Sequence, residues 1–203
     1  YGPKGVGALF VKEGTPLESV TQGGGQERGL RSGSENMPGI VGLGAAAGIA
    51  VKEMDDEARR LTRLRDRLVD GIESGVEEAY LNGHRARRLP NNANFRFRYV
   101  EGEAMLLNLD MMGISVSSSS PCTSKSLLPS HVLLACGIPS EEAQSAVQFT
   151  MGRGTTSEDV DYVLEVLPGV IKKLREMSPF SSKNIEEMRS TAGHKDACDR
   201  HGH

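Results

Sequence analysis

Two stretches of this chain carry apolar residues at helical spacing, and a segment between them alternates. Met54, Ala58, Leu61, Leu64, Leu68 and Ile72 recur every three or four residues, with charges on the other face. Val160, Val163, Leu164, Leu167, Ile171 and Leu174 do the same. Such a stripe buries one side of a helix and leaves the other in water. Residues 94–100 read Asn-Phe-Arg-Phe-Arg-Tyr-Val, the two-residue period of a strand with one buried face. Helices and strands that each have one apolar side must cover one another, which restricts the chain to helices layered on a sheet.

The remaining elements follow from local signals. Residues 38–74 read as helix in two pieces, a Gly/Ala-rich part from Ile40 to Ala50 and then the first stripe. The charge run from Arg59 and Arg60 to Arg67 reads as a solvated face. Ala8 to Val11 and Ala79 to Leu81 read as strands, the latter followed by an Asn82-Gly83 turn. Glu103 to Met112 reads as a helix closed by Gly113, followed by a strand through Ile114, Ser115 and Val116. Pro129 to Ala135 starts another helix, ended by Gly137, and Val147 to Met151 reads as a strand. Thr155 and Glu158 have capping-box spacing before the second stripe, in which Pro168 should introduce a kink. Strands separated by helices indicate an α/β or α+β unit.

Lys and Arg number 24 and Asp and Glu 27 among 203 residues, so the net charge is −3. That balance argues against nucleic acid as the main partner, and there is no Trp and no base-stacking motif. Cys122, Cys136 and Cys198 fit no zinc or haem spacing. Their odd number, without a signal peptide, suggests a reducing, cytoplasmic setting. No uninterrupted apolar run approaches the roughly 18 residues that would span a membrane. The opening Tyr1-Gly2-Pro3-Lys4-Gly5-Val6-Gly7 reads as the interior of a domain, so the chain is expected to be a fragment. After Ser178-Pro179 the sequence turns polar, and 181–203 reads as a disordered tail.

Two polar segments carry the chemistry. Residues 22–36 hold Gln22-Gly23-Gly24-Gly25-Gln26-Glu27-Arg28-Gly29-Leu30-Arg31-Ser32-Gly33-Ser34. Either this is a plain surface loop, or its backbone N–H groups cradle an anion, with Ser34 near the positive end of the next helix. The second segment is Ser117-Ser118-Ser119-Ser120-Pro121-Cys122-Thr123-Ser124. A working thiol needs exposure and mobility, and these small residues supply both. By contrast Cys136, in Leu133-Leu134-Ala135-Cys136, reads as core, and His131 has no assigned role. His194, Cys198, His201 and His203 read as tail rather than as a metal site.

Around Cys122 the pattern resembles the cysteine desulfurases of the NifS/IscS type, within the class V aminotransferase superfamily. The resemblance is carried by Tyr99-Val100-Glu101-Gly102-Glu103 and the serine run to Ser124. In order with these stand Tyr1-Gly2-Pro3-Lys4-Gly5, Gly23 to Gly29, Arg31-Ser32-Gly33-Ser34, and Gly152-Arg153 with Thr155-Thr156. It covers residues 1 to about 180.

The resemblance implies a pyridoxal-phosphate (PLP) dependent transferase of fold type I. Residues 1–50 would be the end of the large PLP domain and 51–180 the small α/β domain. It implies that Cys122 attacks the sulfur of L-cysteine and carries it as a persulfide, leaving alanine. Metal contact at Cys122 would be transient, through an iron-sulfur scaffold or another acceptor protein. It implies that Ser34 reaches the PLP phosphate of the partner in a homodimer. A selenocysteine lyase, or a non-enzymatic persulfide carrier, would share these residues.

Three departures stand out. The family's Schiff-base lysine falls just before the position of Tyr1, so it lies outside this chain, and Lys4 belongs to the following motif. Gln148, in Ala146-Val147-Gln148-Phe149, stands where the family has an arginine for the substrate carboxylate. Arg153 could compensate. Pro121 stands where the family has a small residue, and would stiffen the backbone before Cys122.

Overall fold

A computed structural model describes residues 1–118 and 129–178. The chain divides into two compact units, Tyr1–Asp56 and Glu57–His203. The division falls inside one long helix, α1 (Met37–Gly75).

The first unit holds irregular chain, a short 3₁₀ turn at Glu27–Gly29, and the first half of α1. The expected strand at Ala8–Val11 does not form: Leu9 is 77% exposed and Phe10 92%. A strand needs a neighbour to take its backbone N–H and C=O groups, and the described residues of this unit offer none. The helix expected in two pieces is one, because the Gly/Ala-rich segment holds no proline beyond its first turn. Averaged over 18 residues, α1 reaches a mean hydropathy of 1.2. By length and composition it is therefore apolar enough to cross a membrane, although no unbroken apolar run of that length exists. One such helix is weak evidence, since small residues also serve close packing between helices.

The second unit is built on a four-stranded sheet. Its strands are β1 (Ala79–Leu81), β2 (Asn92–Phe97), β3 (Ser117–Ser118) and β4 (Ala146–Thr150), in spatial order β1-β2-β4-β3. All three pairings are antiparallel. The strand expected at 114–116 instead begins at Ser117, and Ile114 goes into the core.

The register places Ala93 opposite Phe149 and Phe95 opposite Val147, so the apolar positions of β2 and β4 share one face. Onto it pack Leu61, Leu68 and Ile72 of α1, Met105 and Leu109 of α2 (Gly102–Met111), and Val160, Leu167 and Ile171 of α5 (Ser157–Met177). Phe95 and Phe97 are fully buried, with ring centroids 6.0 Å apart. Ala146, of opposite parity, joins Leu133 of α3 (His131–Ala135) and Ala143 of α4 (Ser140–Gln144) in a second, smaller cluster.

The glycine stops form as expected. Gly113 (φ 77°) and Gly137 (φ 82°) adopt the left-handed conformation that ends α2 and α3. Ile114 N donates to Leu109 O and Ile138 N to Leu133 O, the six-to-one closure of a Schellman motif. The capping box of α5 is shifted by one residue. Thr156 is the N-cap, and its partner is Asp159 rather than Glu158. The Thr155 hydroxyl instead accepts from Gly152 N at 2.9 Å. The helix continues through Pro168 to Met177.

Gly102 shows how closely α2 enters the unit. A Cβ there would lie 2.7 Å from the Gln144 carbonyl oxygen, inside contact distance of fixed backbone. Gly102→Ala should therefore cost about 1–3 kcal/mol, the ordinary range for overpacking. The measurement is the urea midpoint of the whole protein, and an unchanged midpoint would mean that α2 can back away from Gln144.

Candidate functional site

In the first unit, the glycine segment is folded by its own hydrogen bonds. Ser32 Oγ donates to Gly24 O at 2.7 Å, and Gly33 N donates to Gln26 Oε1 at 3.2 Å. The Arg31 guanidinium turns back onto Ser32 O. Gly23, Gly29 and Gly33 have positive φ, and so do Glu27 and Arg28, which glycine neighbours make room for. Ser34 is exposed, three residues before α1 begins.

The start of α1 is already capped. Met37 N donates to Glu35 O at 2.9 Å, Pro38 has no N–H, and Gly39 N donates to Asn36 Oδ1 at 3.1 Å. Asn36 is thus the N-cap, and its amide also donates to Gly5 O at 3.3 Å. The first donors of α1 are already used. An anion here would meet the helix dipole and the Ser34 hydroxyl, not free helix N–H groups. Ser34, exposed beside this helix start, is a neutral hydroxyl from which a phosphate oxygen can accept a hydrogen bond. The Asn-Met-Pro sequence carried the cap signal, Asn just before a helix-opening Pro.

In the second unit, Gln148 lies half-buried on β4, on the polar face of the sheet. Its register partners are Asn94 on β2 and Ser117 on β3. Its amide donates to Thr150 Oγ1 at 3.2 Å. Beside it runs a polar ladder. Asn82 Nδ2 donates to Asn94 Oδ1 at 2.6 Å, Arg96 Nη1 to Asn82 Oδ1 at 2.8 Å, and Arg96 Nε to Glu142 Oε2 at 2.8 Å. The Arg96 guanidinium also sits 4.8 Å above the Tyr80 ring. Asn94 and Arg96 were legible as one face from their alternation, although the strand begins two residues earlier, at Asn92. Asn82 and Glu142 were not, because they arrive from a turn and from α4.

Ser117 is the neighbour that links Gln148 to the serine run. Cys122, with Ser119, Ser120 and Pro121, lies outside the described residues, as do His194, Cys198, His201 and His203. Cys136 was expected in the core and is exposed. Helix α3 is only five residues long, and Leu133 is its one fully buried side chain, so Cys136 falls past the contact face. Among the described residues no group of three metal-ligating side chains occurs. A cleft of about 830 Å³ lies between α2, α4 and the end of α5, lined by Tyr99, Glu101, Gln144, Leu174 and Met177 among others. It contains none of the site residues named from sequence.

The charge run on α1 is not a uniformly solvated face. Arg65 is 5% exposed and donates to Leu89 O at 3.0 Å and to Asp66. Arg60 grips the turn after β4, donating to Thr155 O at 2.6 Å and Gly152 O at 3.0 Å. The same guanidinium makes a two-pronged contact with Glu57. That hydrogen bond is the main reason the Glu57 carboxyl titrates below its ordinary value. The turn so held contains Arg153, the candidate to compensate for Gln148.

An antiparallel sheet with α1, α2 and α5 on its apolar face and α3 and α4 on the other, following a glycine loop, defines a class. The structure is similar to a NifS-like protein at a TM-score of 0.74 and 36% identity, covering 85% of this chain and 44% of that one. It is also similar to a NifS-like protein from Rickettsia africae, at a TM-score of 0.69 and 25% identity over 78% of this chain and 41% of that one. The class is that of PLP-dependent proteins with the class V fold.

The aminotransferase class-V family matches residues 1–163, and the chain belongs to that family. It is 60% identical over 180 residues to cysteine desulfurase IscS 1 of Archaeoglobus fulgidus, covering 89% of this chain and 47% of that protein. It is 50% identical over 183 residues to cysteine desulfurase IscS of Dictyoglomus turgidum, covering 90% and 46%. The chain thus spans about half the length of the curated relatives it matches.

Asn36→Ala should lower stability by about 1 kcal/mol through loss of the α1 cap, while Asn36→Asp keeps the acceptor and most of that stability. Thermal unfolding followed by circular dichroism reads both. Equal losses in the two variants would assign the effect to the Gly5 contact instead.

Proposed function

We propose that the intact protein is a cysteine desulfurase that takes sulfur from L-cysteine, holds it on Cys122 and passes it to an acceptor protein. The observation that carries this reading is the set of ordered motifs around Cys122, within 180 residues that are 60% identical to a curated cysteine desulfurase. Its setting would be cytoplasmic, as a homodimer, with an iron-sulfur scaffold as one class of acceptor.

PLP supplies an electron sink that loosens bonds at the substrate's β-carbon. Ser34 would hold its phosphate. Cys122 acts as thiolate. Its sulfur attacks the substrate sulfur, a sulfur–sulfur bond forms, and the carbon–sulfur bond breaks. The bonding pair stays with the carbon fragment, which gains a proton and leaves as alanine. The acceptor thiolate then attacks the outer persulfide sulfur and frees Cys122.

Gln148 alters how the substrate carboxylate is met. A charge-assisted hydrogen bond contributes about 1.5–3 kcal/mol and a neutral one about 0.5–1.5. A neutral amide already engaged with Thr150 binds that carboxylate more weakly than a guanidinium. Asn94 and Ser117, its register partners, surround it with further neutral donors rather than with charge.

Two measurements test this reading on the whole protein. Cys122→Ala should keep the absorbance of bound PLP and lose persulfide formation from L-cysteine. Sulfur transfer that survives in this variant would remove Cys122 from the mechanism. Gln148→Arg should lower KM for L-cysteine by roughly tenfold, the equivalent of about 1.4 kcal/mol. An equal or higher KM would show that the carboxylate is held elsewhere.

A further inference from the structure

The solvent face of α2 presents Glu103, Leu107, Asp110 and Met111 in one stripe. Leu107 is 68% exposed and Met111 84%. Met112 continues the patch at 50%, and Tyr162 of α5, at 44%, joins it by donating its hydroxyl to Met112 O at 3.0 Å. Four large apolar side chains in water at one place are unusual for a monomer surface, and Met and Tyr are residue types that interfaces favour.

The charge around this patch is mainly acidic. Residues 101–118 contain three acidic residues and no Lys or Arg, and residues 154–171 contain four and none. Asp161 is paired with Arg67 at 2.6 Å, and Asp159 is used in the α5 cap. Glu103, Asp110 and Glu165 form no ion pair among the described residues and rim the apolar centre. A second copy of the same face would set acid against acid, which disfavours self-association through it. The complementary surface is an apolar ridge flanked by Lys or Arg.

We propose that this face docks the sulfur-acceptor protein through an amphipathic helix with an apolar stripe and basic flanks. The proposal rests on the desulfurase reading for the identity of the occupant. Sequence continuity supports it: Met112 leads through Gly113 and Ile114 into β3, whose next residues run to Cys122. A partner seated on α2 would be tethered one short segment away from the sulfur it collects. Acidic rims also speed encounter with a basic partner and make it salt-dependent.

The test uses the whole protein and, as probe, a synthetic amphipathic helix of Leu and Lys, with a twin in which Ser replaces Leu. The Leu/Lys peptide should bind at least about tenfold tighter than its twin. Its binding should weaken about tenfold in both the Leu107→Ser/Met111→Ser and the Glu103→Lys/Asp110→Lys variants, and binding to the parent protein should weaken as salt is raised. Alanine release from L-cysteine with dithiothreitol as acceptor should be unchanged in both, which also shows that they fold.

Peptide binding that in either variant equals that of the parent protein overturns the proposal. So does protection of Met111 and Met112 from hydroxyl-radical oxidation before peptide is added, since the rest of the chain or a second copy would then already cover the face. A parent protein that releases no alanine overturns the desulfurase reading, and with it the acceptor as occupant. The peptide measurement decides the face independently of that result.

Discussion

The pairing of β2 with β4 is the contact on which the second unit depends. These strands are 50 residues apart in sequence, and their register sets Phe95 against Val147 and Ala93 against Phe149. Because side chains alternate strictly, a slip of one residue would turn Phe95, Phe97, Val147 and Phe149 into water. Each such side chain contributes about 1.5–3 kcal/mol by burial, so the correct register is strongly favoured. The same parity puts Asn94, Arg96 and Gln148 on the opposite face. The core and the polar site are therefore two consequences of one alignment.

Guanidinium groups then fix the elements around that sheet. Arg60 carries α1 to the turn after β4, Arg65 carries it to Leu89, and Arg175 ties the end of α5 to Arg98 O and Glu77 O. Arg96 and Arg98 both reach Glu142, which holds α4 against β2. Arginine suits this work because its fork satisfies several carbonyls at once and stays charged while partly buried. These ties hold in place the turn with Arg153 and the strand with Gln148. A candidate site built largely from neutral groups is thus supported by a charged frame.

Much of the fold was legible because its signals are local or strictly periodic. The alternation at 94–97, the stripes of α1 and α5, and the stops at Gly113 and Gly137 depend on few residues each. The misreadings share a cause. Ala8–Val11 has strand composition but no described neighbour, and Cys136 has apolar neighbours but sits on a helix too short to turn it inward. Thr155 and Thr156 differ by one position, and only the fold of the preceding turn assigns the cap to the second. For the candidate site, the sequence named Ser34 and Gln148 through resemblance. Asn36 before Pro38 carried a cap signal, but nothing in the sequence showed that Met37 N turns to Glu35 O or that the Asn36 amide reaches Gly5 O.

By itself, the sequence determined the family and which face of each element is apolar. These follow from residue identity and spacing, and short-range sterics read them directly. Only the tertiary structure decided which polar groups meet. It placed Asn94 and Ser117 beside Gln148, turned Arg60 and Arg65 from a solvated face into ties, and left Leu107, Met111, Met112 and Tyr162 uncovered within an acidic rim. Those outcomes depend on strand register and helix packing between residues far apart in the chain, and no local pattern encodes them.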